Sequence, residues 1–563
     1  MKKFNRRAIL GGSLVAGSLG IGHVFAQAGN APTAARSGLS AIVTLNGATY
    51  AYPNGPKIPS YYVSFHQDGR VVFHLGALRA LNWPASTPKP YHLGAHHVRI
   101  EDDGKVIFDE DIPSHWWNAE WTYRPRPLAV VKTPAQIVAD RRMFAFGNIG
   151  SRVSSQPPRV PYKIMGASSI TTYMPTTGER PDIGLITDNS AYYMLGGDPG
   201  PMFDWAQAND SFPLHYRDET TGKPIDLLQY PQANCYDGPG MGDPWFDRYP
   251  RDAQGNNILG GGMVPQQAHF CEMAYVAYLA SGDMGFLQNL QYNANFTILC
   301  DASKSTKQRA ILYGEPRGVA WAFRNLFMAH AATQDAEAAG MLPNACHPSS
   351  YWKILLDNQL AYYTATYMKD PNNQYFRLVS GGDRFGPWQV DYMLAALAFG
   401  VLTGHSDWVP LYLWALKNVV DRTSGTSGYP PGFGTAYYLN KFPWAKDAQG
   451  KPISGTFDKS APLMNWAESA QYCMSVDPDG SPLSAAQQAA LKSDPLNGGK
   501  AMTGNESMMT TRAVLVMASY LEKLNLANVR ATYPELDVCI DNAERMVRAI
   551  GGINARQSIV ASQ

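Results

Sequence analysis

A short motif closes several apolar helical runs in this chain, and it restricts the fold more than any other feature. Residues 266–280 are apolar on most faces and long enough for several helical turns. The run stops at Ser281-Gly282-Asp283 and restarts as FLQNLQYNANFTIL. Glycine can end one helix in a left-handed cap, and aspartate can accept the first N–H groups of the next. The spacing therefore predicts a helical hairpin with its apex at Gly282-Asp283. Leu195-Gly196-Gly197-Asp198 repeats the pattern behind IGLITDNSAYYM, and Thr403-Gly404-His405-Ser406-Asp407 repeats it behind VDYMLAALAFGV. A unit of this kind cannot bury its apolar face alone, so its copies must pack on one another.

Six such hairpins can be paired along the second part of the chain. They are 182–195 with 199–209, 265–280 with 283–300, 316–333 with 349–368, 387–403 with 406–421, 461–474 with 483–491, and 505–524 with 533–549. The first members are apolar on nearly every side, as inner helices are. Closing the hairpins into a ring, first members inside, gives an (α/α)6 toroid; an open superhelix is the competing architecture. The long connections 210–264, 301–315, 369–386 and 422–460 then lie where the inner helices begin. Long loops on a rigid scaffold carry function, so the cleft is expected there and the apex face is expected to be silent.

Ahead of the hairpins the period changes to two. The runs AIVTL, TYAY, YYVSFHQ, RVVFHLG, HVRIE, KVIFDE and LAVVK are separated by turn signals such as Gln67-Asp68-Gly69. They predict an antiparallel β-sandwich. The fold class is thus α+β and multidomain, with the sandwich at residues 38–165 and the toroid at 166–563. His96 and His97 begin one strand, and with no further ligand pattern they read as ordinary edge histidines.

Residues 1–28 have the form of an export signal: a basic start at Lys2, Lys3, Arg6 and Arg7, a short apolar run, and a small-residue site at Ala26-Gln27-Ala28. Asn5-Arg6-Arg7-Ala8 resembles a twin-arginine signal, with a Sec signal as the alternative. A polar linker follows at 29–37. The expected location is periplasmic or secreted, and no later run is long and apolar enough for a membrane span. Without the signal the charge is −3, which offers no surface for nucleic acid. The six cysteines, Cys235, Cys271, Cys300, Cys346, Cys473 and Cys539, match no zinc spacing and read mainly as buried thiols. No metal and no cofactor is assigned.

The hairpin pairing, the repeated apex and the β-sandwich in front of them resemble the six-hairpin glycosidase-like superfamily from about Leu39 to the end. That resemblance implies a carbohydrate substrate and an enzyme that is either a glycoside hydrolase or a polysaccharide lyase. The aromatic content of 12% suits a cleft that stacks on sugar rings as well as it suits a large core.

Hydrolysis needs a protonated and an ionised carboxyl. Asp182, Glu272 and Asp391 are the first candidates, because the pairing places them in the first turns of inner helices. Each also suits a cap or a structural ion pair, Glu272 with Arg317 for instance. Elimination at a uronate instead needs a cation for the carboxylate and a Tyr or His for the proton. His269, Tyr216, Arg217, Arg317 and Tyr392 could supply that set. Arg180, His215, Asp237, Asp243 and Gln267 are further polar candidates for substrate binding, and Trp245, Trp321 and Trp388 could stack on sugars. Hydrolysis is placed ahead of elimination, and a non-catalytic glycan-binding or polysaccharide-assembly role is a third reading.

Overall fold

The structure is a computed structural model and describes residues 38–76, 92–147, 156, 158–176, 180–218, 220–231, 233, 263–300, 315–373, 375–376, 378, 383–435, 439–473, 484–493 and 505–561. The expected signal and linker lie outside the described residues.

The chain opens with strands β1 (Leu39–Leu45), β2 (Ala48–Tyr52), β3 (Tyr61–Phe65), β4 (Val71–Leu75), β5 (His96–Asp102), β6 (Lys105–Ile112) and β7 (Ala119–Tyr123). They form two antiparallel sheets, ordered β2-β1-β5-β6 and β3-β4-β7. Ala41, Val43, Val98 and Ile100 of the first sheet share one apolar core with Val71, Phe73 and Trp121 of the second. Trp121 stacks on Phe73 at 4.1 Å and meets Phe108 of the other sheet at 5.7 Å.

β4 is buried at every position, because its second face turns away from this core and is covered by the helical part. There His74 lies 3.7 Å from Glu120, and Glu120 lies 3.8 Å from His215. This explains an error of the sequence reading. AEWTY forms the last strand, although its buried Glu120 interrupts the apolar pattern. LAVVK forms none: the N–H groups of Val131 and Lys132 donate to Ala280 O at 2.6 and 3.1 Å, so this segment is held by a helix end and not by a sheet.

A short α1 (Pro134–Ala139) precedes the hairpins. The first hairpin is α2 (Asp188–Met194) with α3 (Gly200–Ala208), and the second is α4 (Tyr275–Ser281) with α5 (Met284–Leu299). The third is α6 (Pro316–Ala338) with α7 (Ser349–Tyr363), and the fourth is α8 (Pro387–Leu402) with α9 (Val409–Thr423). Then come α10 (Trp466–Cys473), α11 (Ala485–Ser493), α12 (Asn505–Lys523), α13 (Val529–Thr532) and α14 (Leu536–Ile550). α4, α6, α8 and α12 pack one on the next, and each carries its own partner, α5, α7, α9 or α14. α12 sits directly on α8, while α10 lies against the short strand at Leu439–Asn440.

The predicted apex of the second hairpin is present. Gly282 has φ +69°, and Asp283 accepts from the N–H groups of Gly285 and Phe286 at 2.8 and 3.3 Å. The apex face, expected to be silent, is covered by the β part. Arg124, just after β7, donates to Asp283 at 3.2 Å. A Cβ on Gly285 would stand 2.9 Å from Arg70 and 3.1 Å from Arg124. The sheets therefore dock on this apex and along α5, which is buried throughout.

Candidate functional site

The residues before the inner helices fold differently from the sequence expectation. α2 starts only at Asp188, because Thr187 is its cap and accepts from Ser190 N–H at 3.2 Å. Asp182 is therefore no first-turn residue. It is buried, accepts from Arg180 Nε at 2.9 Å, and lies 3.3 Å from Cys271 Sγ. Residues 267–269 make one 3-10 turn, and α4 begins at Tyr275. Glu272 thus precedes the helix, and its carboxylate accepts from Tyr275 N–H. Burial pushes Glu272 up to about 7, against the opposing pull of those backbone N–H groups and of Arg324. Arg317 is not its partner; it pairs with Glu315 at 2.7 Å.

Asp391 is on α8 as expected, but it is fully buried, ion-paired with Arg422 and bonded to Thr511 Oγ1 at 2.6 Å. Asp182 and Asp391 are thus committed to contacts within the protein, and Glu272 is held through one of its two oxygens.

Tyr216, His215 and Arg217 belong elsewhere. Their segment runs beneath the β3-β4-β7 sheet on the flank of α5. Tyr216 stacks near Phe296, and Arg217 lies 5.1 Å above the Tyr62 ring and 3.3 Å from Ser64 Oγ. Glu120, Asp210 and His215 are close enough to one another to hold a metal ion. The donor set argues against it. His215 Nδ1 faces Phe212 O and Nε2 faces Asn289 Oδ1, both at 3.0 Å, while Asn289 donates to Asp210 at 2.5 Å. With both ring nitrogens engaged and Arg124 3.8 Å from Asp210, the group is an interface network.

The remaining candidates gather at the other end, and they form a closed circuit of contacts. Arg180 Nη2 donates to His269 O at 3.2 Å. Gln267 Nε2 donates to Gly318 O at 3.1 Å, and Trp321 Nε1 donates to Ala268 O at 3.2 Å, which joins the 3-10 turn to α6. Arg317 of α6 lies 5.3 Å above the Trp388 ring of α8, and Tyr392 packs between Trp321 and Trp388 at 4.7 and 5.8 Å. Tyr392 OH donates to Glu506 of α12 at 3.0 Å. Glu506 accepts from Arg556 Nη2 at 2.9 Å, and Arg556 Nη1 donates to Asp188 of α2 at 2.8 Å.

Glu506 is one of the polar residues that the sequence offers at inner-helix starts, whereas Asp188 and Arg556 carry no such signal. The one hint of Arg556 is a lone arginine between the apolar ends of INARQSIV, after α14. Asn554 and Gln557 also donate to Glu506, so the 3-10 turn Ala555–Gln557 stands between the last and first hairpins.

Within the circuit the titratable bases of the predicted set are His269 and Tyr392, and burial pushes the Tyr392 phenol well up beside Glu506. Burial, then the charges of Arg317 and Arg180, hold the His269 imidazole down to about 3. Its Nδ1 is bonded to Gln266 Oε1, which leaves Nε2 with the lone pair. Asp237, Asp243 and Trp245 lie outside the described residues. Cys271, Cys346 and Cys539 are buried free thiols, and Cys300 is buried. Among the described residues no helix is long and apolar enough to cross a membrane. No family model, curated protein or solved structure matches this chain.

Proposed function

We propose that the helical part closes into an α/α toroid with this circuit at its open end. There, in our reading, an exported carbohydrate-active enzyme cleaves glycosidic bonds of a poly- or oligosaccharide. The observation that carries the reading is a neutral His269 between two arginines, beside the Arg317–Trp388 stack. That set suits elimination at a uronate better than hydrolysis. Arg317 neutralises the carboxylate, which makes the neighbouring C5 proton acidic. His269 Nε2 takes that proton, the electron pair forms the C4–C5 double bond, and the C4–O bond breaks. The imidazolium then returns the proton to the leaving oxygen. Burial lowers the pKa of His269 most, and the charges of Arg317 and Arg180 lower it further; an arriving carboxylate offsets the second contribution and makes the imidazole a stronger base.

Hydrolysis is kept as a second reading for one reason. The Glu272 carboxyl, at about 7, has the protonation a general acid needs, and its Oε2 has no partner in the protein. Incubation with uronate-containing and neutral polysaccharides separates the readings. New absorbance at about 230 nm, from an unsaturated uronate, supports elimination. Reducing ends without it, lost in Glu272→Gln, support hydrolysis. Binding without cleavage leaves a glycan-binding role.

A further inference from the structure

Successive members of the circuit carry buried oxygens that find no hydrogen-bond partner. They are Gln267 Oε1 in the 3-10 turn, Gln389 Oε1 in the first turn of α8, Ser507 Oγ in the first turn of α12, and Gln557 Oε1 in the C-terminal turn. Buried polar atoms are almost always paired, so each such atom calls for an explanation. Elsewhere the unpartnered groups include lone indole N–H donors such as those of Trp352 and Trp408. Here four oxygens that can accept recur on neighbouring elements, beside one unpartnered donor, Arg556 Nε.

Their setting narrows what they could accept from. Gln267 is tied to Gly318, next to Arg317, and Gln389 follows Trp388, the ring beneath Arg317. Ser507 and Gln557 flank Glu506, whose oxygens are already taken by Tyr392, Asn554, Arg556 and Gln557. A ligand that satisfies them would therefore bring several uncharged donors close to the packed rings of Trp321, Trp388 and Tyr392. A bare cation would satisfy the oxygens but would face Arg317 and Arg556, so charge disfavours it.

We propose that Gln267, Gln389, Ser507 and Gln557 form a hydroxyl-reading subsite, which takes a neutral sugar unit adjoining the one whose carboxylate meets Arg317. The inference rests on the carbohydrate reading above and adds to it the class of the neighbouring unit. The C-terminal turn becomes part of the site, since it supplies Gln557.

A buried amide oxygen that waits for a ligand is a burden on the free protein. Replacing it with an isosteric apolar group should stabilise the free protein while weakening binding. The test uses the full mature chain and its Gln267→Met and Gln389→Met variants. Melting temperature and calorimetric titration are followed with oligosaccharides in which uronate and neutral units alternate, and with all-uronate oligomers. The expected result is an unchanged or higher melting temperature in Gln389→Met and a lower one in Gln267→Met, which also loses the bond to Gly318 O. Affinity for the alternating oligomers falls about tenfold, and affinity for the all-uronate oligomers changes much less. Equal affinity of wild type and both variants for the alternating oligomers overturns this subsite alone. Failure of the wild type to bind any of these sugars overturns it together with the carbohydrate reading. Tighter binding of calcium than of sugar identifies the oxygens as a cation site and also overturns it. Two variants are used so that a folding defect in one does not decide the matter.

Discussion

Glu272 and Asp391 show how a carboxylate located in sequence can have a structural use that the sequence does not reveal. Both fall near inner-helix starts, and both look catalytic there. The fold uses Glu272 to receive the N–H groups that open α4, and it uses Asp391 to neutralise Arg422. Sequence could not tell these uses apart, because the partners lie in loops or on distant helices. Two outcomes follow. Glu272 has a pKa raised from 4.5 to about 7 by burial, so the folded state holds its proton more tightly than the unfolded state does. The protein is then less stable above pH 7, where the buried carboxyl must be charged, and this cost disappears below pH 4.5. Glu272→Gln should be more stable than wild type by roughly 3 kcal/mol at pH 8 and equal to it at pH 4, by urea unfolding. Asp391→Ala leaves Arg422 buried and unpaired and should lower stability by about 3–5 kcal/mol. A loss of under about 1 kcal/mol in the same assay would mean the pair is not formed.

At the scale of elements, the apex motif and the apolar runs made α4 to α9 legible, because caps and helical periodicity are local properties. The error at 265–274 has a local cause as well. That stretch is apolar enough for a helix, but its side chains and backbone are drawn into contacts with α6 and Arg180. The strand AEWTY was missed because a buried glutamate faces the helical part. Helix packing depends on small residues whose role only the partner reveals. A Cβ at Gly400 of α8 would come within 2.5 Å of the Phe327 ring of α6. Gly400→Ala should therefore destabilise by about 1–3 kcal/mol through overpacking, despite its better helix propensity. A stabilised variant in thermal unfolding would show that α6 and α8 are not this close.

For the molecule as a whole, the sequence indicated a β part followed by helical hairpins. It did not indicate that the chain's last turn joins the first hairpin to the last. Arg556→Met removes the shared cation between Asp188 and Glu506. Hydrogen exchange should then quicken in α2 and α12 together; quickening in α12 alone would mean the turn does not couple them. Buried histidines set the acid response. His66 and His405 are held down to about 3 and His330 to about 4, chiefly by burial. The unfolded chain takes up these protons below pH 6.5 and the folded one does not, so stability falls as pH drops from about 6.5 toward 4. Glu272 and Asp210 oppose this in part.

We propose that a glycan is cleaved at the circuit around Arg317 and not at the interface around Arg217. The most direct measurement compares Arg317→Ala with Arg217→Met on one acidic oligosaccharide, at a temperature where both variants are folded. Arg317→Ala is expected to lose activity by at least about a hundredfold, while Arg217→Met keeps it within about threefold. Full activity in Arg317→Ala together with its loss in Arg217→Met would place cleavage at the interface instead.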